Sequence, residues 1–150
     1  MIRMPISAAA LGLFLLCGLG AQAQAADTAN EAAHVAAKHK VVVQVSDSDA
    51  SKWQLALNNV HNMQKALGKE NIEIEVVAYG PGIGMLKLDS KVAARIQEAV
   101  ESGVKFGACQ NTMRGHHLTP DDMLSGIGYV PSGVIEVMKK QEEGYSYIRP

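Results

Sequence analysis

A run of β-branched residues, Val41-Val42-Val43-Gln44-Val45, constrains the fold of this chain more than any other feature. A strand with one solvent-exposed face alternates apolar and polar residues, whereas a nearly continuous apolar run is typical of a strand buried on both faces. Strands of that kind belong to parallel sheets with helices on both sides. The chain therefore needs a packed layer on each face of this strand.

Strand and helix patterns alternate along the rest of the chain. Apolar residues recur every three or four positions in the helical segments, and β-branched or alternating residues mark the strands. The predicted strands are 41–45, 72–79, 104–108, 127–130 and 145–148, and the predicted helical segments are 53–67, 90–102, 119–124 and 133–143. This alternation predicts a single Rossmann-like α/β domain over 40–150, a three-layer sandwich whose mainly parallel five-stranded sheet has helices on both faces.

The first 25 residues have the pattern of a secretory signal peptide. Arg3 precedes an apolar segment from Ala8 to Leu19, and alternating alanines follow it. The apolar segment is too short for a bilayer core, which needs about 20 residues. Small residues permit cleavage after Ala23 or Ala25, and we favour Ala25. We expect a periplasmic protein with a flexible lead-in over 26–39.

The charge and the apolar runs of the exported chain exclude two classes of partner. Cleavage removes Arg3 and leaves 13 of the 14 Lys and Arg residues against 15 Asp and Glu residues, so the formal net charge changes from −1 to −2. No cluster of basic residues stands out, and proteins that bind nucleic acid need one. No later apolar run is long enough to span a membrane. We expect neither nucleic acid nor membrane as a partner after signal removal.

Export leaves the protein with one cysteine. The chain contains Cys17 and Cys109, and Cys17 lies inside the predicted signal peptide. In an oxidising compartment Cys109 then has no partner for an internal disulfide. It is either an inert buried thiol or a reactive one, since free cysteine is also among the most buried residue types.

Cys109 ends the third predicted strand, where an open α/β sheet places ligands and reactive groups. Three predicted strand exits converge there, at 46–49, 80–84 and 109–112. We expect Thr112 to cap a helix whose amino end points toward the thiol, and a cationic Arg114 nearby would favour the thiolate. The predicted catalytic residues are Cys109 and Arg114. The predicted ligand pocket contains Asp47, Gly82, Asn111, Thr112 and His116.

Two further patterns indicate neither a cofactor nor a metal. Gly80-Pro81-Gly82-Ile83-Gly84 lacks the G-x-G-x-x-G spacing of a phosphate-binding loop, because position 85 is methionine, and it has no G-K-[ST] ending. We interpret it as a tight turn that leaves room beside the thiol. His116 and His117 point to opposite sides of an extended segment, and their spacing from Cys109 matches no standard zinc or copper site.

Residues 40–150 resemble the DsrE/DsrF-like family, related to YchN, and in particular its exported members. Four segments carry the resemblance in order along the chain: FGACQNTM at 106–113, LTPDDML at 118–124, VPSGVIE at 130–136 and QEEGYSYIRP at 141–150. The resemblance implies a Rossmann-like fold that assembles into trimers or hexamers. In the sulfur-relay members one cysteine accepts sulfane sulfur as a persulfide, and a basic residue follows within a turn or two. Cys109 and Arg114 match this arrangement.

The resemblance and the lone cysteine together predict a periplasmic homo-oligomer whose Cys109 carries sulfane sulfur as a transient persulfide. Its partners would be small sulfur species or partner thiol proteins. These would differ from the relay partners known for the family, which are cytoplasmic. One alternative is a non-catalytic oligomeric protein that binds a small ligand in the strand-end cleft. Another is a thiol redox sensor, in which Cys109 ends as a sulfenate or a mixed disulfide. Persulfide and sulfenate chemistry need the same thiolate, so the sequence does not separate them.

The signal pattern predicts the amino terminus of the mature protein. Sequencing of the protein released by osmotic shock should begin at Ala26, or at Gln24 where cleavage follows Ala23. An intact Met1 on a cytosolic protein would contradict both the compartment and the prediction that Cys109 is unpaired.

Overall fold

Five parallel strands form one sheet in the computed structural model, which describes residues 39–150. The strands are β1 His39–Val45, β2 Ile72–Ala78, β3 Lys105–Cys109, β4 Gly128–Val130 and β5 Ser146–Ile148. Their order across the sheet is β4-β3-β2-β1-β5, and each neighbouring pair is parallel. The predicted signal peptide, Cys17 and the predicted lead-in up to residue 38 lie outside the described residues.

Four α-helices and two 3₁₀ helices connect the strands in this part of the chain. The α-helices are α1 Ala50–Leu67, α2 Ala93–Glu101, α3 Gln110–Gly115 and α4 Gly133–Glu142. The 3₁₀ helices are Gly80–Leu86 and Pro120–Asp122. None of the helices within 39–150 is both long and apolar enough to cross a membrane.

Apolar packing covers both faces of β1, as its β-branched run predicts. Val43 faces the larger core, which includes Leu57 of α1 and Ile96 of α2. Val42 faces the smaller core, where it lies with Val137 of α4. Successive residues of a strand point to opposite faces, so helices on both sides are needed to cover this run. The predicted α/β fold, with a five-stranded parallel sheet between helices, is confirmed.

The segment after β2 forms the 3₁₀ helix Gly80–Leu86, where the sequence predicts a loop. Its backbone lies against the end of β1, since a Cβ on Gly82 would come within 2.3 Å of the Val45 carbonyl oxygen. The Gly82 N–H also donates to the Tyr79 carbonyl at 3.1 Å. Glycine at position 82 therefore permits a close backbone approach that any side chain would prevent.

The helix predicted from about residue 90 begins later, at Ala93. The residues before it pair with a distant segment, because Lys87 forms an isolated antiparallel bridge with Met123. The same bridge ends the helix predicted from Thr119, which is one 3₁₀ turn that stops at Asp122. Between the bridge and α2 the chain turns, with the Ser90 N–H donating to the Lys87 carbonyl and the Ala93 N–H to the Ser90 carbonyl.

Glu75 is a carboxylate buried beside α4, with only 7% of the residue exposed. Burial raises the pKa of Glu75, and the attraction of Lys140 opposes that rise without cancelling it. The Lys140 ammonium lies 3.5 Å from Glu75 Oε2 and 3.0 Å from Glu143 Oε2. Burial lowers the pKa of Lys140, but its hydrogen bond to Glu143 and the charge of Glu75 raise it above its usual value. Lys140 is therefore the cation that allows a carboxylate under this helix.

Lys140→Met should destabilise the fold by about 2–4 kcal/mol at pH 7, because it leaves the Glu75 carboxylate buried without its cation. The pKa of Glu75 is already raised in the folded state, and loss of Lys140 raises it further. A raised carboxyl pKa favours folding at low pH and disfavours it as the pH rises through the folded value. The variant should therefore regain part of its stability in acid.

Urea unfolding at pH 7 and pH 5 measures this difference. Lys139→Met is the matched control, because Lys139 is the adjacent lysine of α4 and its side chain is exposed. Equal unfolding midpoints for the two variants at pH 7 would show that Lys140 does not stabilise the Glu75 carboxylate.

Candidate functional site

Cys109 lies at the edge of the sheet where all five parallel strands end, as the last residue of β3. It is a free cysteine, and only 4% of the residue is exposed. The segments that follow the other four strands begin at the same edge. Cys109 is therefore at the kind of strand end where open α/β sheets place their ligands.

Cys109 is the N-cap residue of α3. Its backbone is extended, with φ −70° and ψ 111°, and its Sγ accepts a hydrogen bond from the Thr112 N–H at 3.5 Å. The prediction that Thr112 is the cap is wrong, because Thr112 is the third residue of the helix. A cap side chain accepts from an amide two or three residues ahead, and here sulfur takes the place of the usual oxygen.

The start of a second helix donates to the same sulfur atom. The N–H of Gly133, the first residue of α4, lies 3.2 Å from Cys109 Sγ. The Asn111 N–H donates to the Pro131 carbonyl at 3.3 Å, which ties the start of α3 to the segment before α4. Amides from two helix starts therefore face one sulfur atom, and both favour a negative charge on it.

Gly133 has no room for a side chain, because Tyr79 lies against it. A Cβ on Gly133 would come within 2.7 Å of Tyr79 Cβ and Cδ1. Burial raises the pKa of the Tyr79 hydroxyl, the charges of Tyr147 and Cys109 raise it further, and Arg149 lowers it. The ring is thus part of the wall beside the thiol, and its hydroxyl is within electrostatic reach of Cys109 and Arg149.

The net pKa of the Cys109 thiol lies below its usual value. Burial raises this pKa, as it does for any acid removed from water. The Thr112 hydroxyl and the N–H groups of Thr112, Gly133 and Asn111 lower it, and together they outweigh burial. The thiolate is the nucleophilic form of cysteine, so these hydrogen bonds increase the reactivity of the sulfur at neutral pH.

Thr112 connects the sulfur to the 3₁₀ helix after β2. Its hydroxyl accepts a hydrogen bond from the Gly80 N–H at 2.9 Å, so its own hydrogen is available to Cys109. Gly80 has a φ of +52°, a backbone conformation that favours glycine. The glycine-rich segment therefore orients the Thr112 hydroxyl, a function that its interpretation as a spacious turn does not include.

The side chains of the remaining predicted site residues interact away from the sulfur. Asn111 and Arg114 bind each other on α3, through the guanidinium and the side-chain carbonyl. His116 is exposed where α3 ends. Asp47 follows β1 and pairs with Arg149 at 3.6 Å. The catalytic roles of Cys109 and Arg114 stay predictions. So do the pocket roles of Asp47, Gly82, Asn111, Thr112 and His116.

Sequence reasoning missed Tyr79, which packs on Gly133, and Gly133 itself, which donates to the thiol sulfur, as well as Arg149, which pairs with Asp47 at the same edge of the sheet. Each follows a strand at the same edge, after β2, β4 and β5 respectively. The strand-exit rule, applied to β4 and β5 as well as to the first three strands, finds the segments that contain Gly133 and Arg149. Tyr79 is the first residue after β2, and its position at that exit is the signal that identifies it.

The polar groups around Cys109 are hydrogen-bond donors. Within residues 39–150, no three His, Cys, Asp or Glu side chains lie together as ligands for a metal ion. A ring of N–H and O–H donors suits a thiolate or another anion.

Solved structures of other proteins share this fold. The structure of MTH1491 from Methanobacterium thermoautotrophicum, described as a protein of unknown function, is 39% identical in sequence, covers 75% of this chain and 100% of its own, and superposes with a TM-score of 0.72. BT1422 from Bacteroides thetaiotaomicron is 15% identical, with 74% and 94% covered and a TM-score of 0.60. The ychN protein from E. coli is 7% identical, with 76% and 99% covered and a TM-score of 0.57. The last two likenesses show the fold alone.

No curated protein matches the chain. The model of the DsrE/DsrF-like family matches residues 13–150, which include every strand and helix described above. The resemblance carried by the four sequence segments is thereby confirmed. The chain belongs to the DsrE/DsrF-like family.

Proposed function

We propose that this protein carries sulfane sulfur as a persulfide on Cys109. One observation carries the proposal: Cys109 Sγ accepts hydrogen bonds from the starts of two helices, through the Thr112 and Gly133 amides. These bonds lower the thiol pKa although the residue is buried. A stabilised thiolate is the nucleophile that sulfur transfer requires. Membership of the DsrE/DsrF-like family supports the same chemistry.

The proposed reaction consists of two displacements at sulfur. The Cys109 thiolate attacks the outer sulfur of a sulfane donor, a new S–S bond forms, and the rest of the donor leaves with the electrons of the broken bond. The outer sulfur then carries the negative charge. A second nucleophile, a thiolate or another sulfur-accepting anion, attacks the outer sulfur, and Cys109 leaves as the thiolate. The cycle needs no added oxidant or reductant.

The groups around Cys109 act in both displacements. The Thr112 hydroxyl and the Gly133 amide stabilise the thiolate before it attacks and again when it leaves. We assign Arg114 a positioning role. Its guanidinium binds the side chain of Asn111, and the backbone N–H of the same residue is one of the groups that lower the pKa of the Cys109 thiol.

We place this chemistry in the periplasm and in a homo-oligomer. The signal pattern of residues 1–25 supports export. The large apolar side chains Val134, Ile135 and Met138 on α4 are exposed, and clusters of this kind are commonly covered by another subunit. A recess between subunits would admit small sulfur species and keep the thiols of unrelated proteins from Cys109.

Burial of Cys109 favours a second candidate function, in which the thiol is structural and the strand-end cleft holds a small ligand. The lowered thiol pKa argues against it, because burial alone would raise the pKa of an inert thiol. A redox sensor remains compatible with the same thiolate.

Intact mass spectrometry separates the three functions. Treatment with thiosulfate or polysulfide should add the mass of one sulfur atom to the mature protein, and dithiothreitol should remove it. Cys109→Ser should gain nothing under the same conditions. Addition of one oxygen would support the redox sensor, and an unchanged mass of the wild-type protein would support the binding protein.

Thr112→Val should slow the alkylation of Cys109 by iodoacetamide at pH 7 about threefold or more, because the thiolate loses a charge-assisted hydrogen bond. The midpoint of the rate against pH should move to higher pH. Thr112→Ser keeps the hydroxyl and should behave like the wild-type protein. A wild-type midpoint at or above the free-thiol value of about 8.5 would mean a structural cysteine.

A further inference from the structure

A cleft of about 380 Å³ lies along β3 and the edge strand β4. Much of its wall is apolar, with Val104, Phe106 and Val130 among the lining side chains. Among the described residues that line it, Glu75 of β2 is the only carboxylate. A concave, mostly apolar surface with few polar groups is the usual form of a site for a small molecule.

Two glycines leave space beside this carboxylate. Gly107 of β3 is opposite Gly128 of β4 in the register of the two strands. A Cβ on Gly107 would lie 3.3 Å from both Glu75 Oε1 and Val130 Cγ1, so a side chain there would crowd the carboxylate. A Cβ on Gly128 would meet only the Phe106 carbonyl oxygen, at 3.4 Å. Glycine weakens the interior of a strand, and it often marks a site where a ligand approaches closely.

One carboxylate oxygen of Glu75 is available to a ligand. Lys140 approaches Oε2 from α4, whereas Oε1 lies on the side of Gly107. The Glu75 side chain is only 9% exposed. Within residues 39–150 no hydrogen bond reaches Oε1, yet every fully buried side-chain oxygen in this part of the chain has a partner. Oε1 is therefore accessible, and the cleft is the opening that Glu75 lines.

The charges around this carboxylate favour a second cation. Besides the buried carboxylate, Lys140 has Glu143 at 3.0 Å and Glu136 at 3.8 Å. One ammonium among three carboxylates leaves a net charge of −2. Lys105 also lines the cleft, but it pairs with Glu73 at 2.6 Å, so these two residues add no net charge. The cluster therefore attracts a further positive charge.

We propose that the cleft binds a small organic amine, with the ammonium on Glu75 Oε1 and the apolar part of the molecule against the cleft wall. An ammonium donates charge-assisted hydrogen bonds to a carboxylate oxygen. A hard metal ion needs several oxygen ligands at once, whereas one carboxylate is enough for an ammonium. Amine binding here does not rest on sulfur transfer at Cys109.

Amide NMR shifts of the mature protein test the site with n-butylamine, which is protonated at pH 7, and with its neutral analogue n-butanol. At low ionic strength the amine should shift the signals of Gly107, Gly128 and Tyr129, and n-butanol should bind about tenfold more weakly or worse. High salt should weaken binding of the amine. Equal affinities for the two compounds, no binding of the amine, or shifts confined to other residues would overturn the site.

Glu75→Gln removes the charge and keeps the shape of the side chain. The affinity for n-butylamine should fall about tenfold or more, because the ammonium loses a charge-assisted hydrogen bond. Lys140 keeps its other two carboxylates in this variant. Glu142→Gln is the matched control, since it removes the same charge from an exposed position at the end of α4 and should bind like the wild-type protein. Wild-type affinity in Glu75→Gln would overturn the site.

Gly128→Val obstructs the cleft without a change of charge. Valine is favoured in strands, and the one neighbour of a Cβ at this position is at ordinary contact distance, so the sheet has room for it. The variant should bind n-butylamine more weakly than the wild-type protein. Should Glu75→Gln fail to fold, Gly128→Val decides the question, and an unchanged affinity in it would show that the amine binds elsewhere.

Discussion

The parallel direction of all five strands is the constraint on which the site depends, because it brings every strand exit to one edge of the sheet. Residues as far apart in sequence as Asp47, Cys109 and Arg149 lie at that edge for that reason. A parallel sheet in turn requires helical crossovers that cover both faces. The valine run of β1 supplies the strand that can be buried in this way. It also lies between β2 and β5, so it brings the segments that contain Asp47 and Arg149 together.

The fold could be predicted from the sequence because its strands are short and apolar and its helices have clear apolar stripes. Each predicted strand exists, and β1 is covered on both faces. The departures occur where contacts between distant segments override the local pattern. Gly82 packs its backbone on Val45, in a segment that forms a 3₁₀ helix where the sequence predicts a loop. Lys87 bridges Met123, in a segment that lies before the later start of α2. Local composition contains no information about either contact.

The site was predictable only in part, because its donors depend on the order of the strands and not on their existence. Cys109 follows from its place at the end of a strand. Gly133 reaches the same sulfur across 24 residues of chain because β4 lies beside β3. Arg149 reaches Asp47 because β5 lies beside β1. Arg114 is much closer to Cys109 in sequence, yet its guanidinium binds Asn111.

The sulfur of Cys109, the reactive atom of the proposed function, is also the acceptor that anchors the first turns of α3 and α4. In a persulfide the charge moves to the outer sulfur, so the inner sulfur becomes a weaker acceptor for the amides of Thr112 and Gly133. Loading would therefore weaken two charge-assisted hydrogen bonds of the scaffold, and unloading would strengthen them again. On the proposed function, the carrier therefore favours its empty form, which suits delivery of sulfur to the next acceptor better than storage.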